Sequence, residues 1–148
     1  KVNRVNEPHT PLKAYQSMNA YKLFMMDVGL LGALSELPAE AILEGNDIFV
    51  EFKGALTEQY VLQQMISDTP YTPYYYGTDK GTFEQDFLIQ KERNIVPIEV
   101  KAEGNLRSQS LKAYCEKFHP NMAVRLSALK YKEQDWMINL PLYAVCNL

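Results

Sequence analysis

The chain is poor in the residues that form thiolate and histidine metal sites. It has two cysteines, Cys115 and Cys146, and two histidines, His9 and His119. The cysteines lie far apart and show no Cys-x-x-Cys spacing, so neither a zinc ribbon nor a thioredoxin-type motif is indicated. The histidines form no metal pair with them. Such sparse cysteine usage predicts a reduced, cytoplasmic setting.

Other signatures are also missing. No apolar run of about 18 or more residues predicts a membrane span, and no signal peptide is visible. No Gly-x-x-x-x-Gly-Lys-Ser/Thr loop occurs, because Lys80 precedes the second glycine, Gly81. We therefore do not expect this chain alone to hydrolyse ATP. The net charge of -3 and the pI of about 5.4 differ from those of a stand-alone nucleic-acid binder, which is usually basic.

The chain does have enough apolar sequence for one domain with a real core. It contains 148 residues, of which 47% are hydrophobic. It begins at Lys1 and not at methionine, and we expect it to be a fragment or a processed domain. We divide it into an N-terminal linker or helical segment, residues 1–47, and a main domain, residues 48–148.

Hydrophobic spacing predicts two amphipathic helices and a series of strands. The clearest helix is Ile48–Ser67, in which Val61, Met65 and Ile66 fall in one stripe and Glu58 lies inside that stripe. A second helix is predicted over Ser108–Phe118. The predicted strands are Thr72–Thr78, Thr82–Gln90, Asn94–Ala102, Met122–Leu129 and Trp136–Val145.

The N-terminal segment carries weaker signals. Lys22–Leu31 predicts a short strand followed by a helical turn, with Asp27 as a local cap. Residues 38–44, followed by Gly45, predict a short helix with a C-terminal stop.

Carboxylates recur on two neighbouring predicted strands. In Phe83–Ile89, alternation places Glu84 and Asp86 on the face opposite to the mainly apolar one. On the next strand, Glu99 and Lys101 share a face, and the apolar residues between and before them point the other way. The pattern predicts two strands that each present acids on the face away from a core.

This set of residues fits metal-dependent cleavage of a phosphodiester. Hard cations such as Mg²⁺ and Mn²⁺ prefer carboxylate and carbonyl oxygens. Asp86 and Glu99 can share one ion, with the Val100 carbonyl as a further ligand. Lys101 can orient the attacking water or stabilise the developing negative charge. Glu58, from the facing helix, can hold a metal-bound water or a second ion.

Each of these residues also has a purely structural interpretation. Glu99 and Lys101 can form a solvated pair. Asp86 can satisfy a turn or a lysine, and Glu58 can form an ion pair with Lys101.

Two weaker candidates for contact with nucleic acid are Lys112 and Tyr76. Lys112 lies on the second predicted helix, where an exposed lysine is the default interpretation. Tyr76 belongs to the run Tyr74–Tyr76, for which strand packing is favoured over a base-stacking platform.

The order of these blocks resembles that of the PD-(D/E)XK nuclease superfamily. Three blocks also resemble the C-terminal domain of a large prokaryotic group of AAA+ ATPases, in which a P-loop ATPase precedes a nuclease-like domain of uncharacterised function. The three blocks are Phe52–Glu58, Glu84–Ile89 and Pro97–Lys101. Weaker similarity to that group extends over Lys22–Leu31, Ser110–Lys112 and Pro141–Tyr143. One departure is Gln85, which stands where the superfamily motif has a proline.

The resemblance implies an α/β, restriction-endonuclease-like fold. We expect a mixed sheet of about four or five strands flanked by helices and preceded by a small helical or winged segment. It also implies a DNA nuclease that uses Mg²⁺ or Mn²⁺, with catalytic roles for Glu58, Asp86, Glu99 and Lys101. ATP would bind only to a missing N-terminal part.

The expected partners are DNA and the chain's own N-terminal ATPase domain, with a homo-oligomer left open and no membrane. The alternative is a catalytically inactive recognition or oligomerisation module of the ATPase. The acidic net charge favours this alternative. Fold resemblance alone does not establish the chemistry.

Overall fold

Eight strands form one mixed sheet in the part of the chain that the structure describes. The structure is a computed structural model, and it describes residues 1–38, 40, 47–78, 83–102 and 107–148, without the side chains of residues 47–51. The strands are β1 (Val2–Val5), β2 (Gln16–Lys22), β3 (Tyr74–Gly77), β4 (Glu84–Lys91), β5 (Asn94–Lys101), β6 (Val124–Ser127), β7 (Lys132–Glu133) and β8 (Ile138–Pro141). Their order across the sheet is β2-β1-β3-β4-β5-β6-β8-β7.

Three α-helices and two short 3-10 helices accompany the sheet in this described part. The α-helices are α1 (Val28–Leu34), α2 (Asp47–Asp68) and α3 (Gln109–Phe118), and the 3-10 helices are Leu12–Tyr15 and Leu142–Asn147. None of the described helices combines the length and the apolar character that a membrane span requires.

The mixed α/β class is confirmed, but the expected number of strands is wrong. Two of the extra strands, β1 and β2, come from the N-terminal segment. They pair antiparallel with each other, and β1 also pairs parallel with β3. The sheet therefore continues across the boundary that we predicted at residue 47. Pro8 and Pro11 made this region read as a linker, whereas both prolines lie in the connection between the two strands.

Helices cover both faces of the sheet. On one face, Val61 and Met65 of α2 are fully buried against Phe87 and Ile98 of the central strands. On the other face, Tyr114 of α3 packs with a cluster that includes Leu88, Tyr74 and Tyr76. Full burial of one large apolar side chain contributes about 1.5–3 kcal/mol, so these two layers fix both helices on the sheet.

Most of the predicted elements are found, with one error near the C-terminus. The helices predicted over Ile48–Ser67 and Ser108–Phe118 are α2 and α3. The strand predicted over Trp136–Val145 is wrong in its second half, because β8 ends at Pro141 and a 3-10 helix follows. In that helix the side chain of every third residue turns to the core. Most residues between them are also apolar, so the sequence resembles that of a continuous strand.

The region before α2 agrees with the sequence-based predictions in part. β2 ends at Lys22, and α1 begins at Val28 after the cap residue Asp27, whose Oδ1 accepts a hydrogen bond from the Leu30 N–H at 2.8 Å. The predicted helical turn and cap are thus confirmed, whereas the predicted strand lies earlier in the chain, because only Lys22 of Lys22–Leu31 belongs to β2. Most of the short helix predicted over residues 38–44 lies outside the described residues.

Pro97 is compatible with its central strand for a geometric reason. β5 lies between β4 and β6, where a proline usually removes a ladder hydrogen bond. The pairing of β5 with β6, however, begins only at Ile98. Pro97 therefore stands outside that ladder, which explains how a proline is accommodated here.

Candidate active site

The strand β4 breaks its regular alternation at Asp86. The register of its pairing with β3 shifts, so that Asp86 and Phe87 together stand opposite the single residue Tyr75. Such a bulge re-aims side chains and is common next to active sites. Phe87 packs in the core beneath α2, and Asp86 interacts electrostatically with Glu58 of that same helix. The strict alternation that we predicted for this strand therefore fails at Asp86.

Asp86 and its neighbour Gln85 both tie β4 to β5. The Oδ2 atom of Asp86 accepts a hydrogen bond from the Val100 N–H at 2.7 Å. The side chain of Gln85 donates from Nε2 to the Ile98 carbonyl at 2.7 Å. Both bonds join the two central strands beside the acids.

Glu99 is buried and only half satisfied. Its side chain is 3% exposed, and its Oε1 pairs with Lys101 Nζ at 2.7 Å. Its Oε2 is buried without a hydrogen-bond partner among the described residues. The buried Arg125, its register partner on β6, exerts a favourable charge interaction with it. Burial excludes the solvated pair that was one interpretation of Glu99 and Lys101, and a buried unpaired carboxylate oxygen is costly.

Glu58 reaches the same cluster from α2, but its ion-pair partner is not the expected one. Within the described part of the chain it pairs with Lys22 Nζ, 3.8 Å from its Oε2, while Lys101 acts on it only through its charge. Lys22 also forms a close ion pair with Glu84. The structural pair between Glu58 and Lys101 that we considered does not form.

The cluster therefore combines four carboxylates with two lysines. Its members are Glu58, Glu84, Asp86, Glu99, Lys22 and Lys101. Fully ionised, these six side chains carry a formal charge of -2, and the buried Arg125 beside Glu99 offsets one further negative charge. Sequence analysis missed Lys22, because nothing in the local pattern indicates that β2 ends beside α2.

Burial and mutual repulsion perturb the acids of this cluster. Burial raises the pKa of Asp86 to about 7, and the Glu58 carboxylate adds to the rise. The Val100 N–H and the Lys22 ammonium oppose this rise without cancelling it. Burial also raises the pKa of Glu58, against the opposing effect of Lys22. For Lys22, the carboxylates outweigh burial, so its pKa is raised and it stays an ammonium.

The donor set fits a weakly ligated Mg²⁺ or Mn²⁺ better than a caged ion. No group of three or more His, Cys, Asp or Glu side chains is placed to hold a metal ion in the residues that the structure describes. Mg²⁺, however, keeps several waters and often takes only one or two protein carboxylates. The unpaired Oε2 of Glu99 and the raised pKa of Asp86 mark these two as the acids that a cation would relieve. The Val100 carbonyl stays a predicted ligand.

Gln59, the residue after Glu58, fixes the chain beside the cluster. Gln59 is 1% exposed, and its side chain makes two hydrogen bonds to the main chain of Met25, one accepted from the N–H at 2.9 Å and one donated to the carbonyl at 3.0 Å. It fastens the connection between β2 and α1 onto α2. A cavity of about 350 Å³ opens there, with Lys22 and Glu58 in its lining.

The two weaker candidates for contact with nucleic acid differ in their exposure. Tyr76 is 7% exposed and its ring packs edge-on against three aromatic rings of the core. Strand packing, the favoured interpretation, therefore fits Tyr76, and its contact with a base stays a prediction. Lys112 is exposed on α3, with Glu116 4.0 Å away, and stays a prediction.

The comparisons with known proteins concern the region that carries most of this cluster. The chain has no match among curated proteins or among solved structures. Residues 53–144 match the family described as a domain of unknown function, DUF4143. This range includes Glu58, Asp86, Glu99 and Lys101, whereas Lys22 lies before it. Because the match covers more than half of the chain, the chain belongs to the DUF4143 family.

Proposed function

We propose that this domain is a metal-dependent phosphodiesterase that acts on DNA, carried at the C-terminus of an AAA+ ATPase. The observation that carries the proposal is the pair Asp86 and Glu99 on adjacent strands. One has its pKa raised to about 7, and the other has a buried oxygen without a partner among the described residues. A buried acid with a raised pKa, close to a buried carboxylate oxygen without a partner, is typical of functional sites.

The residues take distinct roles in this proposal. Asp86 and Glu99 would hold Mg²⁺ or Mn²⁺, which when bound supplies Lewis acidity and an activated water. Lys101, held beside Glu99 at 2.7 Å, binds a phosphate oxygen and neutralises the charge that develops there. Glu58 accepts a hydrogen bond from a water at the mouth of the site. Asp86, whose pKa burial raises to about 7, would lose its proton to the solvent when the cation binds.

A different observation supports DNA as the substrate and an ATPase as the rest of the protein. Both follow from the resemblance of the three sequence blocks to the nuclease-like domain of AAA+ ATPases. Membership of the DUF4143 family is compatible with that resemblance and adds no activity of its own.

A second candidate function is a recognition or oligomerisation module without catalysis. The observation that favours it is that lysines already neutralise part of the cluster, Lys22 at Glu58 and Glu84 and Lys101 at Glu99. A site whose cation positions are taken by lysines can be stable without metal.

Mn²⁺ binding by isothermal calorimetry separates the two candidates. We expect micromolar-range binding by the wild type that weakens at least about tenfold in Asp86→Asn and in Glu99→Gln. Glu116→Gln, an exposed acid on α3, is the matched control and should bind like the wild type. Absence of binding by the folded wild type would favour the recognition module.

A cleavage assay then tests the substrate. Single-stranded and double-stranded DNA are incubated with the wild type, Asp86→Asn and Lys101→Met in Mg²⁺ or Mn²⁺. Cleavage by the wild type alone is the expected result. Metal binding without cleavage of either DNA by the wild type would retain the site and reject DNA as its substrate.

A further inference from the structure

We infer that Lys22 is an internal counter-ion that takes the place of a divalent cation in the metal-free carboxylate cluster and withdraws when the metal binds. This inference rests on the proposed function, because it concerns how the same site is regulated. It assigns a role to a residue that lies outside the range matched by the family.

The position of Lys22 is the first support. Its Nζ lies 3.8 Å from Glu58 Oε2 and in close contact with Glu84 Oε1, and its side chain is 23% exposed. It also interacts with the charge of Asp86. One ammonium thus faces three acids from two different elements, α2 and β4, as a bound cation would.

The backbone of Lys22 is fixed on both sides. Before it, β2 pairs with β1, and the pair Val2–Lys22 ends that ladder. After it, the Gln59 side chain holds the main chain of Met25 through two hydrogen bonds. The residue that clamps the connection directly follows Glu58 on α2, so the lysine and its acid are positioned by one helical turn.

The side chain, in contrast, has room to move. The cavity of about 350 Å³ beside the cluster is lined by Lys22 itself and by apolar residues of the connection, among them Phe24. A lysine has a flexible four-carbon stem, so its ammonium can leave the acids without a change in the backbone. Lys101 differs, because it pairs with one oxygen of Glu99 and leaves the other open.

Charge makes the two cations compete. With both lysines in place the cluster carries a formal -2, and withdrawal of Lys22 makes it -3, which attracts a divalent ion more strongly. Conversely, an ion bound to the acids repels the ammonium. We therefore expect Lys22→Met, which removes the charge and keeps the apolar stem, to bind Mn²⁺ about tenfold more tightly than the wild type.

The test combines two measurements on the domain. Calorimetry compares Mn²⁺ binding by the wild type, by Lys22→Met and by the control Lys13→Met, an exposed lysine elsewhere. In parallel, the acetylation rate of Lys22 by an amine-reactive reagent is followed by mass spectrometry with and without Mn²⁺. We expect tighter binding only in Lys22→Met, and faster acetylation of Lys22, but not of Lys13, when Mn²⁺ is present.

The possible outcomes separate this inference from the proposed function. Tighter binding by Lys22→Met than by the wild type supports the inference, whereas binding that appears only in Lys22→Met overturns it, because the lysine then fails to withdraw from the wild-type site. Equal binding by the wild type and Lys22→Met, or weaker binding by the variant, leaves the metal site standing and overturns the role of Lys22. If neither folded protein binds Mn²⁺, the proposed function fails and the inference falls with it. Circular dichroism confirms that each variant is folded.

Discussion

Asp86→Asn gives the most direct test of the electrostatics of the cluster, and it requires no metal. Asparagine has nearly the shape of aspartate, and its Oδ1 can still accept the hydrogen bond from the Val100 N–H that Asp86 accepts at 2.7 Å. The substitution therefore removes a negative charge from the cluster and leaves the bulge in place. We expect the variant to be more stable than the wild type above neutral pH.

The magnitude follows from the two pKa values of Asp86. Burial raises its pKa from 3.8 to about 7 in the folded protein. Between these values the unfolded chain releases the proton while the folded protein keeps it, so the free energy of unfolding falls as the pH rises. The full difference corresponds to about 4 kcal/mol. Asp86→Asn should therefore exceed the wild type by about 4 kcal/mol at pH 8 and by less than about 1 kcal/mol at pH 4.

Urea unfolding followed by circular dichroism at several pH values measures this difference. The control is Asp135→Asn, an exposed acid, which should change stability by less than about 0.5 kcal/mol throughout. A difference between Asp86→Asn and the wild type that does not depend on pH would refute the reasoning. It would mean that the pKa of Asp86 is the same in the folded protein as in the unfolded chain.

Three further predictions concern the framework of the site. Gln59→Leu leaves the main-chain N–H and carbonyl of Met25 without their partner, so urea unfolding should show a loss of about 1–3 kcal/mol. Phe87→Ala, in the core beneath α2, should cost about 3–5 kcal/mol, whereas Ile66→Ala on the exposed side of the same helix should cost less than about 1 kcal/mol by the same measurement. Asp27→Ala should cost about 1 kcal/mol through loss of the cap on α1, visible as a lower midpoint in thermal unfolding. A small effect of Phe87→Ala would contradict the packing, and an unchanged Gln59→Leu variant would show that the clamp is not a source of stability.

Local sequence was sufficient to predict the elements that carry the acids. The helical stripe of α2 and the alternation along β5 are local properties, so Glu58, Glu99 and Lys101 were placed on the right elements. The same reasoning misjudged Ile66, which shares the predicted stripe but is exposed. Periodicity gives the direction of a side chain, and it does not show how far the covering layer extends.

What the sequence could not give depends on contacts between distant segments. The bulge at Asp86 exists only as a shift in register between two strands, and no single-strand pattern encodes it. The ion pair between Lys22 and Glu58 joins the edge strand β2 to the helix α2, which are distant in the sequence. Tyr76 shows the converse limit, because a tyrosine looks the same in sequence whether its ring is buried or free.

A purely structural role leaves two energetic costs of the cluster without a purpose. Buried polar atoms in folded proteins are almost always hydrogen-bonded, yet Lys101 satisfies one oxygen of Glu99 and the other has no partner in the described part of the chain. Asp86 already has the Val100 N–H and the charge of Lys22, and burial still raises its pKa to about 7. Apolar residues of similar volume would avoid both costs. Both costs are expected under the proposed function, in which a divalent cation bound to the acids would offset them.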